Sequence, residues 1–196
     1  QAQGRLSAAL RTYQRQVETA GALSSVGMAH VGMAKVLYER DELRLAREHA
    51  TIGIEQCRRL SYAPPLVDGL LTLARIRHAE GDPLAAAAAI DEAQDVMPQA
   101  VELRNRIRAI GVRLGLADGH VAEAARWVRA HGLTTDGEPA YPREQEYLVL
   151  VRVLLAEDHP EHALEMLEHW HTQARAQGRL GSVITMRVLV ALAHAA

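Results

Sequence analysis

Residues 70–98 read LLTLARIRHAEGDPLAAAAAIDEAQDVMP. Leu70 to Ala79 is a run of helix formers, Gly81 and Asp82 break it, and Pro83 begins a second run that continues to Pro98. Gly tolerates the left-handed backbone that ends a helix, an Asp standing in its place, as Asp41 and Asp158 do, can cap the next one, and Pro fits a first helical turn. Ala86, five residues after Gly81, is small enough for two helices to cross closely. The stretch therefore reads as two antiparallel helices joined by a tight turn.

The same punctuation recurs along the chain. A Gly or Asp followed five residues later by Ala occurs as Gly4/Ala9, Asp41/Ala46, Gly81/Ala86, Gly119/Ala124 and Asp158/Ala163, at steps of 37, 40, 38 and 39 residues. Self-similarity at such a period is the mark of stacked helical repeats. Ten helices are expected, roughly over 5–18, 23–39, 42–60, 65–80, 83–97, 100–117, 120–131, 142–157, 160–177 and 180–195. They pair as a leading second helix, four full pairs and a trailing first helix. Pro64, Pro65 and Pro160 should stand in first turns and Pro98 should end a helix. The longest break should be 132–141, with Gly137 and Pro139, before Pro142 opens a helix. A start and end within a repeat, with no initial Met, lead us to expect a piece of a longer protein.

Composition agrees with an all-α class. Aromatics make up 4 % of the 196 residues, Phe is missing, and hydrophobic residues reach 48 % through Ala and Leu. A formal charge of −2 gives no global drive toward nucleic acid or a membrane surface. Cys57 is the single cysteine, and no apolar run reaches the length of a membrane span. A cytoplasmic protein is the simplest expectation.

The motifs at Leu73-Ala74, Gly81, Ala86, Ile90, Ala93 and Pro98, with Gly4, Ala9 and Tyr13, resemble the tetratricopeptide repeat. Repeats this long and degenerate, and segments such as 36–43, 152–156 and 179–192, resemble the solenoid of the large ATP-dependent LuxR-type regulators of the MalT-like branch. The resemblance covers essentially the whole chain. It implies a single right-handed superhelix of antiparallel helix pairs, with turns near 4, 41, 81, 119 and 158. It also implies the sensor region of a bacterial transcription regulator, which binds a small-molecule effector or a regulatory protein. ATPase and DNA-binding modules would lie elsewhere in such a protein. Here there is no phosphate-binding Gly-rich loop, and Lys35 is the sole lysine. No cofactor is expected in this stretch.

The sharpest candidate site is a cationic row: Lys35, Arg75, Arg113 and Arg152 each stand six residues before a turn. In the family geometry first helices line the concave surface, so this register would point inward. Such a seam would suit a carboxylate, a phosphate or an acidic peptide, with Tyr38 and His78 three residues beyond the first two cations. The competing reading pairs each cation with a Glu or Asp of a neighbouring helix. Val31, Leu71, Ala109 and Leu148, four residues before the cations, form an adjoining apolar strip that fits either a groove or plain packing. A generic adaptor for an acidic peptide or protein is the alternative function.

Other clusters read as ordinary structure. His159, His162, His169 and His171 have neither Cys nor metal-ligand spacing, so no metal is expected. Arg104, Arg106 and Arg108 alternate with apolar Val101, Leu103, Ile107 and Ile110, which read as a buried stripe, so direct nucleic-acid contact is not expected. Ser24, Ser25, Ser182 and Cys57 lack a nucleophile context, so catalysis is not expected either. Trp127 and Trp170 fit inter-repeat packing. The last helix carries Val183, Ile184, Val188, Leu189, Val190 and Leu192 on nearly all sides, and this predicts a homodimer through it.

Overall fold

The computed structural model describes residues 2–19, 23–97, 99–137 and 143–195. Among them are ten helices and no strand. They are α1 (Ala2–Thr19), α2 (Leu23–Tyr38), α3 (Leu43–Arg59), α4 (Ala63–Ala79), α5 (Pro83–Val96), α6 (Val101–Ala117), α7 (Val121–Ala130), α8 (Glu144–Ala156), α9 (Pro160–Ala176) and α10 (Leu180–Ala193). No helix of the described residues is long and apolar enough to cross a membrane. Each expected helix is present, with ends shifted by a few residues. Pro98, Pro139 and Pro142 lie outside the described residues.

The turns follow one recipe. Seven described residues have positive φ: Asp41, Ser61, Gly81, Gly119, Gly132, Asp158 and Gly178. At Gly81 its own N–H donates to the His78 carbonyl at 3.0 Å, and the Asp82 N–H reaches back to the Arg77 carbonyl at 2.9 Å. The same two bonds close the other six turns, satisfying carbonyls that a helix end leaves open. This corrects the expected role of Asp41 and Asp158. Neither caps the following helix; each occupies the left-handed position itself, at φ 61° and 63°. The cap at the third turn is Asp82, which accepts from the Ala85 N–H at 3.0 Å. Gly4 is the exception to the periodic reading, since it falls inside α1.

Residues 1–107 and 108–196 form two compact units, the boundary falling within α6. In the first unit each of α1 to α5 packs on its neighbour in sequence, and the first helices α2 and α4 also touch. In the second unit α7 packs on α8, α8 on α9 and α9 on α10, and the first helices α8 and α10 touch. This is the contact pattern of stacked helix pairs.

The small residue after each turn explains the pairing. Ala46, Ala86, Ala124 and Ala163 are all buried, where a larger side chain would force the helices apart. In the first unit, Met33, Ala34, Leu37, Ala46, Ala50 and Ile76 form a core under α1 and α3. In the second, Leu148, Val151, Leu167, Trp170, Met186 and Leu189 centre a larger one, with the Tyr147 and Trp170 rings edge to face at 5.5 Å. Trp170 is a core residue as expected, while Trp127 is partly buried and stacks on His131 at 4.2 Å. Buried Glu144 is held by Arg179 across from α8 to the start of α10.

Candidate functional site

The cationic row divides between the two units, and its members meet different surroundings. In the first unit, Lys35 Nζ on α2 lies 2.6 Å from Asp68 Oδ2 on α4. Arg75 on α4 reaches Glu39 just past the end of α2 at 3.1 Å, and its guanidinium lies over the Tyr38 ring at 4.4 Å from the centroid. Tyr38 therefore serves as the platform for Arg75. His78 lies half-buried one turn beyond Arg75. Both cations of this unit have their charge answered by an acid from the adjoining first helix.

In the second unit the environment is reversed. Arg152 on α8 is half-buried, and it donates a hydrogen bond to the Leu148 carbonyl of its own helix at 2.8 Å. No acidic side chain of the described residues lies within ion-pair distance of it. Burial first, and then the positive charge of Arg113, push its pKa down to about 10. Two guanidinium groups from α6 and α8 thus repel one another in a partly desolvated place. Such an arrangement is stabilised by any anion that enters it.

The apolar strip resolves differently from the cations. Val31, Ala109 and Leu148 are buried at 3 %, 1 % and 1 % exposure, so they belong to helix packing. Leu71 is buried as well, at 5 % exposure, and also touches the wall of a cavity of about 840 Å³ within the first unit. The cavity is bounded by the first halves of α2, α4 and α6, through Met28, Tyr62, Leu71, Val101, Leu103 and Arg106. Met28, Tyr62 and Val101 leave 43 %, 40 % and 57 % of their surface exposed, which is unusual company for three large apolar groups gathered at one concavity. Asp68, fixed by Lys35, forms part of its wall, and no acid of the described residues lies within ion-pair distance of Arg106. The volume falls in the range that holds a small organic ligand. The sequence reading missed Tyr62 and Met28 and wrongly placed Val101, which is 57 % exposed, in a buried stripe; the signal for Tyr62 was Pro64-Pro65, which open α4 and leave it outside the helix, while Met28 is one more apolar residue of α2 and carried none.

The remaining candidates are surface or core. His162 meets His159 and Glu161, with ligand atoms all within 4.8 Å of one another, but all three are exposed at the positive end of α9. His169 lies instead beside Gln173 and His171 beside Arg187. Cys57 is buried, and burial raises its thiol pKa, the opposite of what a nucleophile needs. On α10, Leu180, Ile184, Val188 and Leu192 form a row of exposed apolar side chains at four-residue spacing, while Val183, Met186 and Leu189 face the core.

The family model for the MalT-like TPR region matches this chain over residues 1–196. No curated protein and no solved structure gives a match.

Proposed function

This chain belongs to the MalT-like TPR family, and from that membership we propose that it is the sensor and protein-interaction solenoid of a bacterial LuxR-type transcription regulator. Its task is to recognise an effector or a regulatory protein, in the cytoplasm, on the face built by first helices. ATP hydrolysis and DNA binding are assigned to other modules of the regulator, and catalysis is not assigned to this region. The observation that carries the proposal is the cavity of the first unit, where Met28, Tyr62 and Val101 remain exposed around Leu71. A largely apolar cavity with a cation, Arg106, that no acid of the described residues answers fits a ligand with an apolar body and an acidic or hydrogen-bonding group. Such a ligand acts as a signal only by binding two arrangements of the repeats unequally.

A thermal-shift screen with small sugars, organic acids, nucleotides and acidic peptides tests this. A ligand at one hundred times its Kd stabilises by about 2.7 kcal/mol, or roughly 5–10 °C for a chain of this size. Val101→Glu and Met28→Glu change exposed groups of the wall and should abolish the shift. A hit indifferent to both substitutions counts against the cavity.

The second reading, an adaptor for an acidic peptide, is favoured by Arg113 and Arg152. In that case acidic peptides give the shift and Arg152→Ala removes it, while Val101→Glu leaves it intact. The exposed row on α10 supports a further proposal, self-association through that helix. Sedimentation should show a dimer that Ile184→Glu with Val188→Glu converts to a monomer; a wild-type monomer at high concentration overturns it.

A further inference from the structure

Helices α2 and α3 cross more closely than ordinary side chains allow. A Cβ on Gly53 would lie 2.8 Å from Val31 Cγ2 and 2.9 Å from the Gly27 carbonyl oxygen, and one on Gly27 would lie 2.9 Å from Cys57 Sγ. Within about one turn of that crossing, His30 of α2 and His49 of α3 bring their Nδ1 atoms to 2.8 Å. The ring centroids are 5.0 Å apart and the planes differ by 27°. That separation is nearly the nitrogen gap plus two ring radii, so the rings meet end to end, each Nδ1 aimed at the other. His30 is buried and His49 half-buried.

We propose that His30 and His49 form a proton-operated latch between α2 and α3, closed while one proton is shared between the two Nδ1 atoms and opened when both rings are charged. The proton count follows from the geometry. In the neutral pair one ring carries its hydrogen on Nδ1 and donates; the other carries its hydrogen on Nε2 and accepts at Nδ1. A first added proton binds the bare Nε2 of the donor ring, which leaves the bond in place and makes it charge-assisted. A second has only the accepting Nδ1 to bind. Two N–H groups then face one another at a distance meant for one hydrogen, and two cations share a partly desolvated crossing. The pair titrates as a unit, in two steps.

The surroundings do not dilute this coupling. On α3, Glu48 acts on His49, but its carboxylate is held by Arg44 at 2.6 Å. On α4, Asp68 is taken by Lys35. On α1, the groups directed at α2 are the Tyr13 ring against Gly32 and the amide of Gln16, which donates to the Ser25 carbonyl. Both histidines are held below their ordinary value of 6.5, His30 by burial and then by His49, and His49 by burial against the opposing pull of Glu48. An unfolded or opened segment therefore binds more protons than the closed one below that pH, and stability of the crossing falls as pH drops through it.

Two measurements on the 196-residue chain test the latch. Histidine ring NMR should show one of the pair titrating ahead of the other by more than about one pH unit, a tenfold difference in proton affinity. Hydrogen exchange, corrected for intrinsic rates, should show protection in α2 and α3 falling roughly tenfold or more between about pH 7.5 and 5, relative to α5, which has no histidine. His49→Gln keeps an amide donor for His30 and cannot be charged, so it should flatten that change. Rings that titrate independently near the ordinary value, or relative protection that stays constant across this range, overturn the latch. Should His49→Gln fail to fold, the two wild-type measurements decide alone.

Discussion

The two units solve the same packing problem with different means. In the first, helix α2 lies against α3 through Gly27 and Gly53, and α4 approaches α3 through Gly69, whose Cβ would meet Ile54 Cγ1 at 2.9 Å. Its row cations are each neutralised by an acid of the neighbouring first helix. In the second, two helical glycines do no such packing: a Cβ on Gly115 would meet nothing nearer than 3.5 Å, and one on Gly181 nothing within 4 Å. Its row cation Arg152 repels Arg113. The row cations of the first unit are thus each answered by an acid, and the open space of that unit is its cavity. In the second, the charge of Arg152 is unspent, since no acid of the described residues lies within ion-pair distance of it. One repeat sequence can therefore hold equivalent cations in opposite electrostatic settings.

The largest expected effect comes from breaking the close crossing. Gly53→Ala places a methyl group against the Gly27 carbonyl, which is backbone and cannot rotate aside. Overpacking of this kind costs typically 1–3 kcal/mol. Urea denaturation should show a lower midpoint with an unchanged slope. The matching change in the second unit, Gly115→Ala, meets only ordinary contact with His120 and should stabilise α6 by roughly 0.5–1 kcal/mol, through propensity alone. Equal signs for the two substitutions would erase the distinction in packing.

The charge half of the comparison is tested by opposite signs as well. Arg152→Met keeps the stem that packs in α8 and removes a partly buried cation beside Arg113. Replacing such a charge by an apolar side chain of similar length should stabilise by about 1 kcal/mol. The Leu148 carbonyl loses little, since it already serves the helix backbone. Phosphate at matched ionic strength should raise the melting temperature of the wild type more than that of Arg152→Met. A destabilised variant would mean that Arg152 has a stabilising partner and that the unit carries no unspent charge.

How far these differences could be read from residues alone depends on what each rests on. The helices were legible because Gly81 with Ala86, and Asp41 with Ala46, repeat at a fixed interval and each has a local physical reason. The seam was legible only as a register. Spacing put Lys35, Arg75, Arg113 and Arg152 at equivalent positions, but an ion pair depends on which residue the next helix presents. Asp68 answers Lys35 from 33 residues away, and no acid of the described residues comes within ion-pair distance of Arg152. The strip of Val31, Leu71, Ala109 and Leu148 went to the core for the same reason: a face toward the neighbouring helix and a face toward open space share one periodicity. Tyr62 and Met28 stand at no position that recurs from repeat to repeat in the spacing used, and the His30–His49 pairing joins two helices whose rotation about their axes no spacing specifies.

The smallest effect is expected at Lys35. Its pair with Asp68 is short, at 2.6 Å, yet both side chains are 43 % exposed, so water and salt screen much of the attraction. Exposed pairs of this kind contribute about 0.2–1 kcal/mol, and the lower part of that range is expected here. Lys35→Met should therefore destabilise the chain by a few tenths of a kcal/mol, and the loss should vanish near 1 M salt, where the screening length is about 3 Å. The value of the measurement lies in its sign. Lys35 and Arg152 hold the same position in the repeat, so neutralising one should weaken the fold while neutralising the other strengthens it. A double variant then separates the two causes: if the units are independent, the effects add within about 0.5 kcal/mol. If instead both single substitutions stabilise, the pair with Asp68 is no better than a solvated charge, and the row is equally available for an anion along its whole length.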